Sequence, residues 1–390
     1  MKRIFVIGAG FGDEGKGRVT DTLLRQQSFK DISSTCVVRY SGGPQAAHNV
    51  VYEHTNHIYS HFGAGTGLGV STYWNHHCLV CPETWLNELR KLSDKKLIHN
   101  NIKFHVHPDC PIITPWDVQN NQSCLLNTHH GTCGFGINKT KRREEQLYSL
   151  TVGDLRFPTV ARYKAKAIRE WYAYKDETNL SLYTSLDIDV FLEDCANFIN
   201  NPLVDVTDIQ SLPYSHFLYE SSQGLLIDEQ YGFFPNVTPS KVGYSNSSRV
   251  GYVDDELYYV TRAYHTRHGN GPFPCITKDI EKYVEVTHTE HNINNTFQKH
   301  FKVGLLNLEL LCYGLVRDTR PQFKSINLVV TCMDNMKEFA LSYGTELFKF
   351  DTKEKFLTFI QKHVEKHTGL NVNILYSSSP HSKFELEKLK

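Results

Sequence analysis

The first twenty residues constrain the fold more than any other stretch of the chain. Residues 4–7, Ile-Phe-Val-Ile, form an apolar run typical of a buried strand, and a glycine-rich turn follows them. A polar and apolar pattern typical of a helix then begins. Backbone amides in such a turn and at the start of a helix attract anionic oxygens, and Lys16 adds a positive charge. The stretch therefore predicts a phosphate-binding loop between a strand and a helix.

Two general nucleotide-binding patterns overlap in this loop, and each leaves something unexplained. Residues 10–16 have the spacing G-x-x-x-x-G-K, but Gly17 follows where the standard loop has a Ser or Thr for Mg²⁺. The glycines of residues 10–15 also fit the dinucleotide fingerprint G-x-G-x-x-G. Neither pattern accounts for Asp13 and Glu14, because two carboxylates repel phosphate unless they carry a cation or a proton. A strand-to-helix turn without a ligand is the remaining alternative.

The composition of the chain excludes several classes of protein. Its 390 residues include 42 basic and 42 acidic side chains, so no excess of positive charge indicates binding to nucleic acid. No run of about eighteen apolar residues predicts a membrane span, and the N-terminus enters a strand without a signal-peptide pattern. We therefore expect a cytoplasmic protein that binds neither nucleic acid nor membrane and whose cysteines are free thiols.

Residues 12–17, Gly-Asp-Glu-Gly-Lys-Gly, resemble the signature of the adenylosuccinate synthetase family. Members of this family are ligases that join aspartate to C6 of a 6-oxopurine nucleotide, with a nucleoside triphosphate as the phosphoryl donor. The resemblance implies an α/β fold with a mostly parallel central sheet flanked by helices and with the site loops at the strand ends. It also implies one domain over residues 1–390, with a helical subregion around residues 159–200.

Further stretches follow the order of the family's motifs, with substitutions. The resemblance covers residues 42–49, the glycine loop 131–137, the strand and turn 217–224, and Thr-Arg-His-Gly-Asn-Gly-Pro-Phe-Pro at 266–274. The last of these is the most specific match after the first loop. The pattern departs at residues 287–304, where the family has arginines that grip the carboxylates of aspartate. This chain has lysines there, which lack the planar fork of arginine.

The resemblance implies a role for each of several groups of residues. The expected catalytic residues are Asp13, Lys16 and His48. The nucleoside triphosphate is expected at Gly12, Glu14, Gly15, Gly17, Asp334 and Ser379. The purine nucleotide is expected at Gln45, Thr132, Cys133, Arg143, Gln223 and Thr238. Aspartate is expected at Thr289, Asn292, Lys299 and Lys302, and Mg²⁺ at the Asp13 carboxylate and the Ala47 carbonyl.

The chemistry explains why such residues are needed. Because the 6-oxo group is a poor electrophile toward an amine, O6 must first be phosphorylated to become a leaving group. Asp13 is placed to take the N1 proton as O6 attacks the γ-phosphate, and general-base catalysis contributes about 10² to 10⁴ in rate. Lys16, the loop amides, Mg²⁺ and His48 stabilise charge on the transferred phosphoryl group. The amine of aspartate then displaces phosphate.

Several alternatives stay open from the sequence. The phosphoryl donor is GTP or ATP, because Asp334 favours guanine whereas Cys332 stands where the family has a lysine. The resemblance also implies a homodimer with a shared site, in which Arg142 or Arg143 reaches the partner's nucleotide. The plain expectation is IMP as the substrate and adenylosuccinate as the product. The alternatives are a phage-type ligase that converts dGMP to 2-amino-deoxyadenylosuccinate and a non-catalytic purine nucleotide sensor on the same scaffold.

Overall fold

The computed structural model describes residues 2–26, 31–127, 132–176, 180–247, 255–285, 301–318, 323–381 and 383–389. The helices in these ranges are α1 (Lys16–Arg25), α2 (Pro82–Asp94), α3 (Pro115–Asn127), α4 (Ile137–Glu145), α5 (Pro158–Lys175), α6 (Leu180–Thr184), α7 (Ile188–Ile199), α8 (Leu308–Arg317) and α9 (Lys353–Thr368). The strands are β1 (Lys2–Gly8), β2 (Thr35–Arg39), β3 (His48–Val51), β4 (Asn56–Tyr59), β5 (Ser71–Trp74), β6 (Phe104–Val106), β7 (Val204–Val206), β8 (His216–Gly224), β9 (Glu256–Arg262), β10 (Tyr264–His268), β11 (Phe301–Asn307), β12 (Ser325–Thr331), β13 (Phe339–Tyr343), β14 (Glu346–Phe350), β15 (Asn373–Tyr376) and β16 (Glu387–Lys388).

The largest sheet in the described ranges has ten strands in the order β16-β15-β12-β9-β1-β8-β2-β5-β6-β7. The strands are parallel from β15 to β7, and β16 pairs antiparallel with β15. The central strands are apolar on both faces, as is typical of a sheet that helices cover on both sides. The predicted α/β fold with a mostly parallel sheet and flanking helices is therefore confirmed.

The two faces of β1 pack against different helices, as the alternation of side chains along a strand requires. Ile4 and Val6 share one core cluster with Val19 of α1, whereas Phe5 shares another with Leu311 of α8. Burial of one such side chain contributes about 1.5 to 3 kcal/mol. The loop between β1 and α1 is therefore anchored at both of its ends.

Smaller sheets and a helical region complete the described fold. A four-stranded sheet has the order β10-β11-β13-β14, and β3 pairs with β4 in an antiparallel hairpin. The helices α5, α6 and α7 fill most of residues 158–199, where the sequence predicted helices. Across the described ranges, none of the helices combines the length and apolarity that crossing a membrane requires.

The parallel arrangement decides where the loops meet. Because parallel strands end at the same edge of a sheet, the segments that follow β1, β2, β8, β12 and β15 lie along one edge. The first glycine loop, the stretch 42–49 and the residues after β8, β12 and β15 follow these strands, so the fold gathers them at this edge. The described part of the glycine loop, residues 132–137, instead follows α3, and the stretch 266–274 begins in β10 of the four-stranded sheet.

Candidate active site

The loop between β1 and α1 makes its turn through backbone conformations that favour glycine. The φ angles of Gly12, Asp13 and Gly15 are 100°, 63° and 89°, all in the left-handed region. The end of β8 also passes very close, because a Cβ on Gly224 would lie 2.1 Å from the carbonyl oxygen of Gly10. The loop therefore needs glycine both for its own turns and for its contact with β8.

Glu14 places its own carboxylate at the centre of this loop. The N–H groups of Gly10 and Gly12 donate to its Oε1 at 3.0 and 2.8 Å, and Lys16 Nζ donates to its Oε2 at 2.7 Å. Glu14 and Lys16 are both almost completely buried. The donors that the sequence assigned to phosphate are thus paired with a carboxylate of the loop itself. A phosphate that takes these donors has to displace Glu14.

The side chain of His48 explains why residue 17 is glycine. A Cβ on Gly17 would lie 2.8 Å from the Cβ of His48 and 3.1 Å from the carbonyl oxygen of Asn49. The Ser or Thr of the standard phosphate loop does not fit here, because closely packed interiors have no room for added atoms. The same contact holds His48 against the first turn of α1, beside Lys16.

A glutamate to which the sequence analysis gave no role holds His48. Nδ1 of His48 lies 2.7 Å from Oε1 of Glu220 on β8, and the Ala64 N–H donates to Oε2 of Glu220 at 3.1 Å. Burial lowers the pKa of His48 despite the opposing effect of Glu220. Burial by itself raises the pKa of Glu220, but His48, Arg39 and the Ala64 N–H together lower it below its usual value. Glu220 is therefore the ionised carboxylate that orients the His48 imidazole.

The signal for Glu220 was present in the sequence. It is a charged residue that directly follows Phe217, Leu218 and Tyr219 in β8, and the structure buries it completely. A buried carboxylate requires partners, so its presence in a core strand indicates a functional or structural pair.

Asp13 has a histidine partner of its own. Its Oδ2 lies 2.8 Å from Nε2 of His268 at the end of β10, and Arg262 Nε donates to the Asp13 carbonyl at 2.5 Å. Burial by itself raises the pKa of Asp13, but the hydrogen bond and charge of His268, followed by the charges of Arg262 and Lys16, lower it to about 2. Asp13 is thus ionised at neutral pH. His268 belongs to the stretch 266–274, for which the sequence analysis assigned no individual roles.

The residues expected for the nucleoside triphosphate lie on segments that contact the loop or α1. Thr331, at the end of β12, donates through Oγ1 to the Glu14 carbonyl at 2.7 Å. Arg18 of α1 donates through Nε to the Ser379 carbonyl at 2.8 Å. Burial lowers the pKa of Arg18, and the charge of the exposed Asp334 opposes this effect. The fold therefore brings Asp334 and Ser379 to α1, close to where the loop ends.

Gln223 and Thr238, two of the residues expected for the purine nucleotide, lie close to the loop between β1 and α1 and to the segment after β2. Gln223 lies beside the loop, because a Cβ on Gly12 would be 3.2 Å from its Oε1. Thr238 lies two residues before Ser240, and Ser240 accepts a hydrogen bond from the Gly42 N–H through Oγ at 3.1 Å. The structure therefore joins the segments after β1, β2 and β8.

The other residues expected for the purine nucleotide lie on neighbouring segments. Gln45 follows β2, and its Oε1 is buried without a hydrogen-bond partner in the described part of the chain. Thr132 accepts a hydrogen bond from Asn121 of α3 at 3.1 Å. Burial raises the pKa of Cys133 to about 11, so this residue is a neutral thiol at pH 7. Each of the three offers a polar atom beside the loops that the fold brings together.

The position of Arg143 contradicts the role expected for it. Its side chain is completely buried, with Nε donating to Asp117 Oδ1 at 3.0 Å and an Nη donating to the Ile112 carbonyl at 2.8 Å. The Tyr172 hydroxyl donates to the same carboxylate at 2.7 Å. A guanidinium that is paired within the core cannot reach the phosphate in a partner's site. Arg142, the other candidate, is exposed on α4.

Of the residues expected to bind aspartate, Thr289, Asn292 and Lys299 lie outside the described residues. Lys302 lies on β11, and its Nζ donates to the Gly271 carbonyl at 2.7 Å. It thus contacts the backbone of the stretch 266–274.

Comparisons with known proteins identify the family of this chain. The family model for adenylosuccinate synthetase matches residues 5–365. Adenylosuccinate synthetase of Psychrobacter arcticus is 28% identical over 370 residues, covering 89% of this chain and 81% of that protein. The enzyme of Pseudomonas fluorescens is 29% identical over 289 residues, covering 70% of this chain and 65% of the relative.

Two solved structures are similar to the whole fold. Fully ligated adenylosuccinate synthetase from Plasmodium falciparum superposes with a TM-score of 0.73 at 17% identity, covering 99% of both chains. Succinoaminodeoxyadenylate synthetase (PurZ) of cyanophage S-2L, bound to dGMP and dATP, superposes with a TM-score of 0.64 at 12% identity, covering 100% of this chain and 95% of that one.

The parallel sheet, the glycine-rich loop with its buried lysine and the oriented histidine define an α/β enzyme of the nucleotide-binding class. The chain belongs to the adenylosuccinate synthetase family, whose members are C–N ligases of purine biosynthesis.

Proposed function

We propose that this ligase uses a nucleoside triphosphate to phosphorylate O6 of IMP and then joins L-aspartate to C6, releasing phosphate and a nucleoside diphosphate. The observation that carries the proposal is the contact of His48 with Gly17, which holds the oriented imidazole against the loop that bears Asp13 and Lys16. A base can activate the oxygen nucleophile, and a lysine and an imidazole can stabilise charge on the phosphoryl group that is transferred.

Asp13 serves as the base in this proposal. Its carboxylate is ionised, and its side chain keeps 26% of its surface exposed, so a purine N1–H can reach it. Loss of the N1 proton makes O6 nucleophilic, and O6 attacks the γ-phosphorus as the bond to the β-phosphate oxygen breaks. His268 stays hydrogen-bonded to the carboxylate and holds it in place.

Lys16 and His48 act on the transferred phosphoryl group. When the phosphates enter the loop, Lys16 exchanges the Glu14 carboxylate for a phosphate oxygen. The phosphate takes the place of Glu14 because a buried ammonium needs an anionic partner. His48 meets the phosphoryl oxygens through Nε2, which lies 3.3 Å from the Ser222 carbonyl in the present state. Glu220 balances the positive charge that the ring gains there.

The residues proposed for Mg²⁺ fit a hard cation. The Asp13 carboxylate is ionised and partly exposed, and carboxylate and carbonyl oxygens are the ligands that Mg²⁺ prefers. Gly17 supplies no hydroxyl, so Asp13 and the carbonyl of Ala47 are the proposed ligands. When bound, the ion neutralises charge on the phosphates of the donor.

The remaining parts of the proposal concern the other substrates and the assembly. L-Aspartate is the proposed amine donor, and Lys302 on β11 is the proposed contact within the described part of that region. The donor is GTP or ATP, with Asp334 and Ser379 in its site. A homodimer with a shared site is proposed, in the cytoplasm, where nucleoside triphosphates are available.

The test is phosphate release with Mg²⁺, L-aspartate and GTP or ATP, comparing IMP, GMP and dGMP. Turnover with IMP alone supports the proposal. Asp13→Asn should abolish turnover, whereas Asp94→Asn, at the exposed end of α2, should not change it. Full turnover by the Asp13 variant would eliminate it as the base.

A second candidate function uses dGMP instead of IMP. The whole fold is similar to that of PurZ bound to dGMP, and this likeness motivates including dGMP in the assay. Turnover with dGMP and not with IMP would replace the first proposal. Nucleotide binding without aspartate-dependent phosphate release would indicate the sensor that the sequence analysis left open.

A further inference from the structure

Asp13 adopts a backbone conformation that is unfavourable for a residue with a side chain. Its φ angle is 63°, in the left-handed region, where the Cβ crowds the backbone. Gly12 and Gly15 adopt this region without that cost, because glycine has no Cβ. A residue that supplies a carboxylate from such a conformation needs contacts that hold it there.

Two residues of one short segment hold Asp13, one at its backbone and one at its side chain. Arg262, the last residue of β9, donates through Nε to the Asp13 carbonyl at 2.5 Å. His268, the last residue of β10, has its Nε2 2.8 Å from Oδ2 of the carboxylate. Ala263 connects the two strands, so one continuous stretch of chain carries both contacts.

Tyr264 orients the guanidinium of Arg262. Nη1 of Arg262 donates to the Tyr264 hydroxyl at 3.1 Å, and the guanidinium carbon lies 5.6 Å from the centroid of the tyrosine ring. Both side chains are buried, which strengthens the contact of a cation with an aromatic ring. The guanidinium therefore has a fixed direction toward the loop between β1 and α1.

The Tyr264 hydroxyl also contacts the segment expected to bind the base of the nucleoside triphosphate. Nδ2 of Asn335 donates to this hydroxyl at 2.8 Å, and Asn335 directly follows Asp334 in the chain. The Tyr264 oxygen thus accepts hydrogen bonds from both sides. Hydrogen bonds therefore run from the segment that carries Asp334, through Tyr264 and Arg262, to the backbone of Asp13.

We propose that Arg262 is a positioning residue for Asp13, and that Tyr264 acts through Arg262 by orienting its guanidinium. The inference rests on the proposed function, in which Asp13 takes the N1 proton of the purine. A base acts only within hydrogen-bond reach of the proton that it takes, so a shift of the loop backbone moves the carboxylate out of reach. Arg262 prevents such a shift because it holds the carbonyl of the same residue.

The test compares kcat with KM in variants that remove one contact at a time. Arg262→Met removes the donors and keeps an unbranched side chain, Arg262→Lys keeps a charged donor, and Tyr264→Phe removes the hydroxyl. Arg90→Met on α2 and Tyr174→Phe on α5, both at exposed positions, are the matched controls. Phosphate release is measured with Mg²⁺, L-aspartate and the pair of nucleotides that supports turnover, and circular dichroism checks folding.

Arg262→Met should lower kcat by about 10- to 100-fold, because a displacement of the base near 1 Å has an effect of this size. The KM values of both nucleotides should change little, because Arg262 contacts neither of them in this proposal. Arg262→Lys should recover part of the loss. Tyr264→Phe should lower kcat by about two- to ten-fold, the contribution of one hydrogen bond.

The double variant Arg262→Met with Tyr264→Phe separates positioning from two independent effects. Its kcat should equal that of Arg262→Met alone, because the hydroxyl acts through the guanidinium. Additive losses would overturn the inference and leave the proposed function standing.

A purely structural role predicts a lower unfolding midpoint in urea with an unchanged kcat for the folded protein, and that result would also overturn the inference. Tyr264→Phe removes one oxygen atom, so it decides the question where Arg262→Met does not fold: an unchanged kcat in this variant counts against the proposal. If the original chain shows no aspartate-dependent phosphate release with IMP, GMP or dGMP, the inference and the proposed function both fail.

Discussion

Replacing Gly17 with alanine tests whether the packing of His48 on α1 decides the residue at this position. Gly17 is the second residue of α1, and its Cβ would lie 2.8 Å from the Cβ of His48. The Cβ of His48 is bonded directly to the backbone, so it cannot move away as the end of a flexible side chain does. Gly314 of α8 is the matched control, because the nearest atoms to its Cβ would be 3.4 Å away, which is an ordinary contact.

The expected magnitudes follow from two opposing effects. Alanine favours a helix over glycine by up to about 1 kcal/mol. Overpacking costs about 1 to 3 kcal/mol, and it applies at Gly17 but not at Gly314. The helix effect is common to both positions, so we expect Gly17→Ala to be less stable than Gly314→Ala by about 1 to 3 kcal/mol, with Gly314→Ala neutral or slightly stabilising. Displacement of His48 should also reduce kcat, by as much as about 10²-fold for a shift near 1 Å.

Urea denaturation of both variants measures the stability difference, and phosphate release measures the catalytic effect. Equal unfolding midpoints for the two variants would refute the packing argument. So would a Gly17→Ala protein that keeps full turnover, because His48 would then tolerate the added methyl group without moving.

Three further predictions concern buried charged groups. Glu220→Gln should lower kcat for phosphate release by about ten-fold or more while leaving the protein folded, because His48 loses the carboxylate that balances its charge. An unchanged kcat would exclude this role of Glu220. Arg143→Met should lower the free energy of unfolding, measured in urea, by about 3 to 5 kcal/mol, because it leaves the Asp117 carboxylate buried without its guanidinium. A loss of stability no larger than that of a substitution at an exposed position would contradict the buried pair. Burial raises the pKa of Glu88, but hydrogen bonds from two histidines lower it overall, from 4.5 to about 2. The ionised Glu88 carboxylate therefore stabilises the protein above pH 4.5, and this stabilisation is lost as the pH falls toward 2. In the Glu88→Gln variant the urea midpoint should fall less over this pH range than it does in the original chain. An unchanged pH dependence would argue against this role of Glu88.

The family motifs in the sequence were sufficient for the class of fold, and the local pattern of the first twenty residues was sufficient for the first loop. Residues 4–7 are apolar at every position, which indicates a strand buried on both faces, and the glycines of residues 10–17 require a turn whatever lies around them. These properties depend on neighbours in the chain, so they can be read without the tertiary structure. The same holds for Asp13 and Lys16, which the loop itself carries.

The partners of the site residues were decided only by the tertiary structure. Glu220 meets His48 across 172 positions of the chain, and His268 meets Asp13 because β10 ends beside the loop. The sequence indicated that a carboxylate lay inside β8, but it contained no local signal for which residue that carboxylate contacts.

The burial of individual side chains was also a property of the packed structure. Arg143 belongs to a run of basic residues that predicted a solvated or ligand-binding face, yet α4 turns this one position toward Asp117. Glu14 accepts hydrogen bonds from the loop's own amides, a pairing that the sequence did not indicate. A sequence specifies which groups are available to pair. The distances that select one partner over another arise only when strands distant in the chain become neighbours in the sheet.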